Sequence, residues 1–105
     1  MVIFETPLFT QQIIDLMDDD DYASLQQVLF KRPYAGELIP ETGGLRKIRW
    51  AAQNKGKRGG ARIIYYWVSE HHQIFMLFAY PKNKQVDLTQ QQKKALILCV
   101  KEELT

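Results

Sequence analysis

Residues 45–80 read LRKIRWAAQNKGKRGGARIIYYWVSEHHQIFMLFAY, and through most of this stretch apolar residues recur with a period of two rather than three to four. From Leu45 to Ala51, Arg46, Ile48 and Trp50 fall on one side of a strand, and Leu45, Lys47 and Arg49 fall on the other. The segment 61–69 (ARIIYYWVS) has the β-branched and aromatic content of a strand, and Gln73 to Tyr80 is a further, mostly buried strand. Polar, glycine-bearing residues 53–60 connect the first two, and Glu70 with His71 makes the turn between the last two. Together they predict an antiparallel meander.

Upstream the period is helical. Val2 to Glu5 suits a short strand, after which Thr6 and Pro7 read as an N-cap followed by proline at the first helical position. Phe9, Ile13, Leu16 and Met17 then recur on one helix face. The acidic run Asp18 to Asp21 ends that helix and begins the next, where carboxylates sit well against exposed amides and the positive end of the dipole. Tyr22, Leu25, Val28 and Leu29 form the second apolar stripe, and Pro33 stops it. Residues 33–44, with two prolines and three glycines, read as a loop. Asp87 to Leu104 closes the chain as a helix, with Thr89 at the N-cap and Gln92 at capping-box spacing. The order β-α-α-β-β-β-α predicts an α+β fold, a small antiparallel sheet flanked by helices. With no repeat, low-complexity segment or linker, residues 1–105 are expected to form one domain.

A domain this small has little room for a deep cavity beside its core, so a surface-mounted site is expected. The amino terminus lacks the pattern of a signal peptide, the longest apolar run (Ala95 to Val100) is far too short to span a bilayer, and Cys99 is the lone cysteine. These features predict a cytoplasmic protein with no membrane association. Charge is unevenly placed. Residues 1–41 carry two basic against eight acidic side chains, residues 42–84 nine against one, and the remainder three against three. One face should therefore be strongly positive and suited to a polyanion.

Several chemistries are excluded by residue type. His71, His72 and Cys99 do not make a zinc set, KGKRGGAR lacks the strand-to-helix context of a P-loop, and Cys99 lies in the apolar run of the last helix as a core residue would. No metal or other cofactor is expected. What remains is the basic cluster. If the strands bearing Lys47, Arg49 and Arg62 pair as neighbours, three cations meet on one face with no carboxylate among them, an arrangement suited to charge building on a phosphate. RNA supplies its own nucleophile, the 2′-hydroxyl, and a lysine crowded by cations can act as the base. Trp50, Tyr65, Tyr66, Trp67 and Tyr80 are aromatic candidates for stacking on bases or for the core.

The string GGLRKIRW, followed after a short basic loop by GKRGGARIIYYWV and then by AYPKNKQVDLT ahead of a helix, resembles the RelE/HigB family of type II toxins, in particular its HigB-like branch. The similarity runs over nearly the whole chain. It implies an endoribonuclease that cleaves mRNA in the ribosomal A site without a metal. Implied partners are the ribosome and a cognate antitoxin, a helix-turn-helix protein of the HigA type through which operator DNA is reached. Residue by residue, Lys47 and Arg49 are similar to the family's paired basic residues, Arg62 to the arginine opening its next strand, and Lys82 to a cation of the following basic segment. RelE itself has a catalytic tyrosine near the start of its last helix, where this chain has Thr89 and its neighbours, so the role passes to Tyr80, the nearest alternative tyrosine, or to Lys82 or Lys84. Arg46, Lys55, Lys57, Arg58 and Lys84 are expected to bind RNA around this catalytic group. The rival reading is a non-catalytic module on the same fold that binds nucleic acid or the antitoxin.

Overall fold

A computed structural model describes residues 1–51 and 60–104. Its elements are β1 (Val2–Glu5), α1 (Pro7–Leu16), α2 (Asp19–Lys31), β2 (Glu37–Leu38), β3 (Leu45–Trp50), β4 (Ala61–Val68), a 3-10 turn (Ser69–His71), β5 (Gln73–Pro81) and α3 (Gln90–Leu104). The class is α+β. Strands β3, β4 and β5 form the expected antiparallel meander at the centre of a five-stranded sheet ordered β1-β5-β4-β3-β2.

The helix ends follow local chemistry. Thr6 Oγ1 accepts from the Phe9 amide at 3.1 Å, and Asp18 Oδ1 accepts from the Asp21 amide at 2.8 Å. At the head of α3, Gln92 Oε1 accepts from the Thr89 amide while Thr89 Oγ1 accepts from the Gln92 amide, both at 3.0 Å, which completes the capping box.

Two features depart from the sequence expectation. The sheet is mixed, because β1 runs parallel to β5 at its edge. The segment read as loop also contains β2, which pairs antiparallel with β3. The cause is a turn closed by a side chain: Thr42 Oγ1 donates to the Ile39 carbonyl at 2.7 Å and accepts from the Leu45 amide at 3.2 Å. Gly43 and Gly44 adopt φ of 74° and 123°, and a Cβ at Gly44 would lie 2.8 Å from the Tyr66 ring.

Helices α1 and α2 cover one face of the sheet, where Phe9, Ile13, Leu25 and Leu29 pack with Ile63, Tyr65, Ile74 and Met76. On the other face Leu88 and Leu96 pack with Leu45, Ile64, Leu77 and Tyr80. Between these layers β5 changes phase. Met76 pairs with Tyr65 and Phe78 with Ile64, so Leu77 is an extra, bulged residue. Strict alternation from Ile74 and Met76 would send Phe78 and Tyr80 toward α1 and α2. The bulge turns both toward α3 instead. Helix α1 takes up the polar groups this leaves on the edge: Thr6 Oγ1 donates to the Leu77 carbonyl at 3.0 Å, and Gln12 Oε1 accepts from the Ala79 amide at 2.8 Å.

Candidate active site

Register builds the site on the α3 face of the sheet. Arg62 lies directly opposite Arg49 on β3 and directly opposite Tyr80 on β5, so one rung crosses three strands as Arg49, Arg62 and Tyr80. Lys47 stands one position along the same face of β3, opposite Ile64. Four residues expected to act together are thus neighbours, although 33 positions separate the first from the last. Arg49 is exposed, whereas Arg62 is 7 % exposed and Tyr80 4 %.

Asp87 completes the group, and it corrects the expectation of a cluster without carboxylates. Its Oδ1 lies 2.7 Å from Lys47 Nζ, a contact spanning 40 residues. The chain between β5 and α3 folds back over the sheet and delivers this side chain to the cations. The hydrogen bond and charge of Lys47 hold the Asp87 carboxyl below its ordinary range, with Lys93 and Arg49 acting in the same direction. Lys47, Asp87 and Lys93 also line a cleft of about 270 Å³ with Glu37, Ile39 and Leu88. Neither Asp87 nor Lys93 was legible as a site residue. The one available signal was Lys93 in the first turn of a helix, where a cation runs against the dipole.

Tyr80 donates its hydroxyl to the Val86 carbonyl at 3.3 Å. Burial raises its pKa above the usual phenol value, the Asp87 charge adds to this, and Arg62 opposes it. A neutral phenol opposite Arg62 can donate a proton to a leaving oxygen.

The remaining expected residues separate. Arg46 is on the opposite face, where its guanidinium donates to the Gly36 carbonyl at 2.8 Å and the Tyr34 carbonyl at 3.2 Å. It braces the loop before β2 and stands apart from Lys47 and Arg49, because its parity on β3 is that of Ile48 and Trp50. Lys82 and Lys84 are exposed in the turn after β5. Lys84 lines a different groove, of about 460 Å³, with Gln12, Leu16, Gly60 and Tyr80. Lys55, Lys57 and Arg58 lie outside the described residues.

Most of the aromatic candidates prove to be core. Tyr65 is fully buried, its hydroxyl donating to the Pro33 carbonyl at 2.7 Å and accepting from the Gly36 amide at 2.8 Å. Trp50 and Trp67 pack beside it, and Tyr66 packs on the other face. His71 and His72 are exposed at the turn, and burial with two nearby glutamates raises the Cys99 thiol pKa. Among the described residues no three His, Cys, Asp or Glu side chains are grouped to hold a metal, and no helix is long and apolar enough to cross a membrane.

A family model, that of the RelE toxin of the RelE / RelB toxin-antitoxin system, matches residues 37–104, well over half of the chain. The chain belongs to the RelE toxin family. The match runs from β2 through α3 and so takes in every residue of the cluster, while α1 and α2 precede it. The chain is thereby a toxin of a toxin–antitoxin pair, in a family whose members are generally endoribonucleases, and membership implies a cognate antitoxin as partner.

Proposed function

We propose that this toxin is a ribosome-dependent endoribonuclease of the HigB-like type that cuts mRNA in the ribosomal A site. The observation that carries the reading is the rung Arg49, Arg62 and Tyr80 with Lys47 beside it, three cations and a phenol converging on one patch of one sheet face. Nucleic-acid binding alone asks for dispersed charge, whereas charge developing on one phosphate asks for convergent donors. In the proposed reaction the RNA 2′-hydroxyl attacks the adjacent phosphorus and the bond to the 5′-oxygen breaks. Arg49 and Arg62 hold the phosphoryl oxygens, Lys47 takes up the 2′-hydroxyl proton after its ammonium has released its own proton to solvent, and Tyr80 or Lys82 protonates the leaving oxygen. Cationic side chains supply the charge stabilisation, so the reaction requires no metal. The ribosome supplies the rest of the geometry, because the chain offers no pair of histidines matched as acid and base. Lys84 contributes long-range attraction to the RNA backbone. On the exposed side of α3, Ala95 and Leu98 of the apolar run remain uncovered, which supports contact there with a HigA-like antitoxin.

The deciding experiment compares cleavage of mRNA on programmed ribosomes with cleavage of the same RNA free in solution. Efficient cutting is expected only on ribosomes, and Arg62→Lys should lower it by about 10²-fold or more, because an ammonium lacks the two-pronged grip of a guanidinium. Rapid cutting of free RNA by the nuclease-free protein would overturn ribosome dependence. Variants at 47, 49 and 62 that lose cleavage only in proportion to lost binding would make the cluster a binding patch.

A further inference from the structure

The Lys47–Asp87 contact calls for a function of its own. Asp87 lies outside helix and strand, and its side chain is 70 % exposed. Its backbone carbonyl accepts from Gln85 Nε2 at 2.9 Å, and the same Gln85 amide donates to Gln92 Oε1 of the capping box at 2.8 Å. The main chain is therefore anchored while the carboxylate faces solvent. That carboxylate sits where the cations converge, bonded to Lys47 and within the field of Lys93 and Arg49. It offers two oxygens and one negative charge, as the non-bridging oxygens of a phosphodiester do.

We propose that Asp87 is an internal stand-in for an RNA phosphate, occupying Lys47 in the free toxin and leaving by side-chain rotation when RNA enters. The inference rests on the RNA-cleaving reading above. An exposed ion pair is weak and screened by solvent, so it is ill suited to holding Lys47 in place and well suited to being exchanged. The cluster gains from having an occupant in the free protein, because the carboxylate lies in the combined field of Lys47, Lys93 and Arg49. Binding then replaces one anion by another, and only a group that accepts hydrogen bonds from several of these cations at once displaces the carboxylate. The cleft carrying Lys93 and Glu37 lies open alongside for the neighbouring nucleotide.

The test is a double-mutant cycle read by binding of a 2′-O-methyl RNA oligonucleotide, which cannot be cut, to full-length protein at fixed salt. Asp87→Asn should tighten binding by about two- to fivefold, the range spanned by breaking an exposed ion pair. In a Lys47→Ala background the same change should give less than about 1.5-fold, because no ammonium is left to release. Glu70→Gln, at the far turn, removes the same charge from the chain and should leave affinity unaltered. Equal gains from Asp87→Asn in both backgrounds would make the effect a general field and overturn the stand-in. Weaker binding by Asp87→Asn would overturn it too, by making Asp87 a positioning residue. If the wild-type protein and Asp87→Asn bind the RNA alike, the stand-in fails and the RNA reading stands. If neither binds it, the stand-in fails, and cleavage on programmed ribosomes decides the RNA reading separately.

Discussion

Removing Arg49 should make the toxin more stable while disabling it. Arg49 and Arg62 are direct cross-strand partners on β3 and β4, and like charges so placed cost about 0.2–1 kcal/mol. Arg49 is exposed and Asp87 offsets part of the repulsion, so the lower half of that range applies. Arg49→Met keeps an unbranched, apolar stem against the sheet and removes the charge. For a chain of this length about 1 kcal/mol shifts the unfolding midpoint by roughly 4–8 °C, so a rise of about 1–4 °C is expected. Cleavage on programmed ribosomes should fall by about 10²- to 10³-fold, the scale for losing one donor to the transition state. Thermal unfolding followed by circular dichroism at low salt and again at about 1 M salt separates charge from strand preference. At the higher salt the screening length is about 3 Å and the gain should vanish. A gain of equal size at both salt concentrations would refute the repulsion argument, and a fall in the midpoint would show that Arg49 holds the fold.

Tyr65→Phe should cost about 1–3 kcal/mol, because it leaves the part-buried Pro33 carbonyl and the buried Gly36 amide without their shared hydroxyl; an unchanged urea midpoint would count against this lock on the loop before β2. Burial raises the phenol pKa values of Tyr65 and Tyr80 above the ordinary 10.0, so above that pH the unfolded chain releases protons that the folded chain retains. The stability this provides is complete below pH 10 and is lost as pH rises further, which urea titrations between about pH 8 and 11 would detect; Tyr65→Phe should flatten that decline.

The strand periods, helix caps and turn residues were legible because each is decided by neighbours in the chain. Thr6, Asp18 and Thr89 each cap a helix through an amide three residues on, and the alternation in LRKIRW alone put Lys47 and Arg49 on one face and Arg46 on the other. The same parity sets Arg46, expected to bind RNA, on the face away from Lys47 and Arg49, where it bonds to the Tyr34 and Gly36 carbonyls. The resemblance carried by GGLRKIRW and GKRGGARIIYYWV pointed to the family to which the chain belongs. What sequence could not decide depended on contacts between distant segments. A parallel partner for β1 is chosen by the packing of α1 on β5, and β2 exists because the Thr42 hydroxyl closes a turn. The bulge at Leu77 has the largest consequence. A strand read with strict alternation turns Tyr80 away from Arg62, and one extra residue, held at the sheet edge by Thr6 while Gln12 accepts from the Ala79 amide beyond it, turns it back. Asp87 meets Lys47 for a similar reason: a segment 40 residues downstream folds over the sheet, and no local period records which cation its carboxylate will reach.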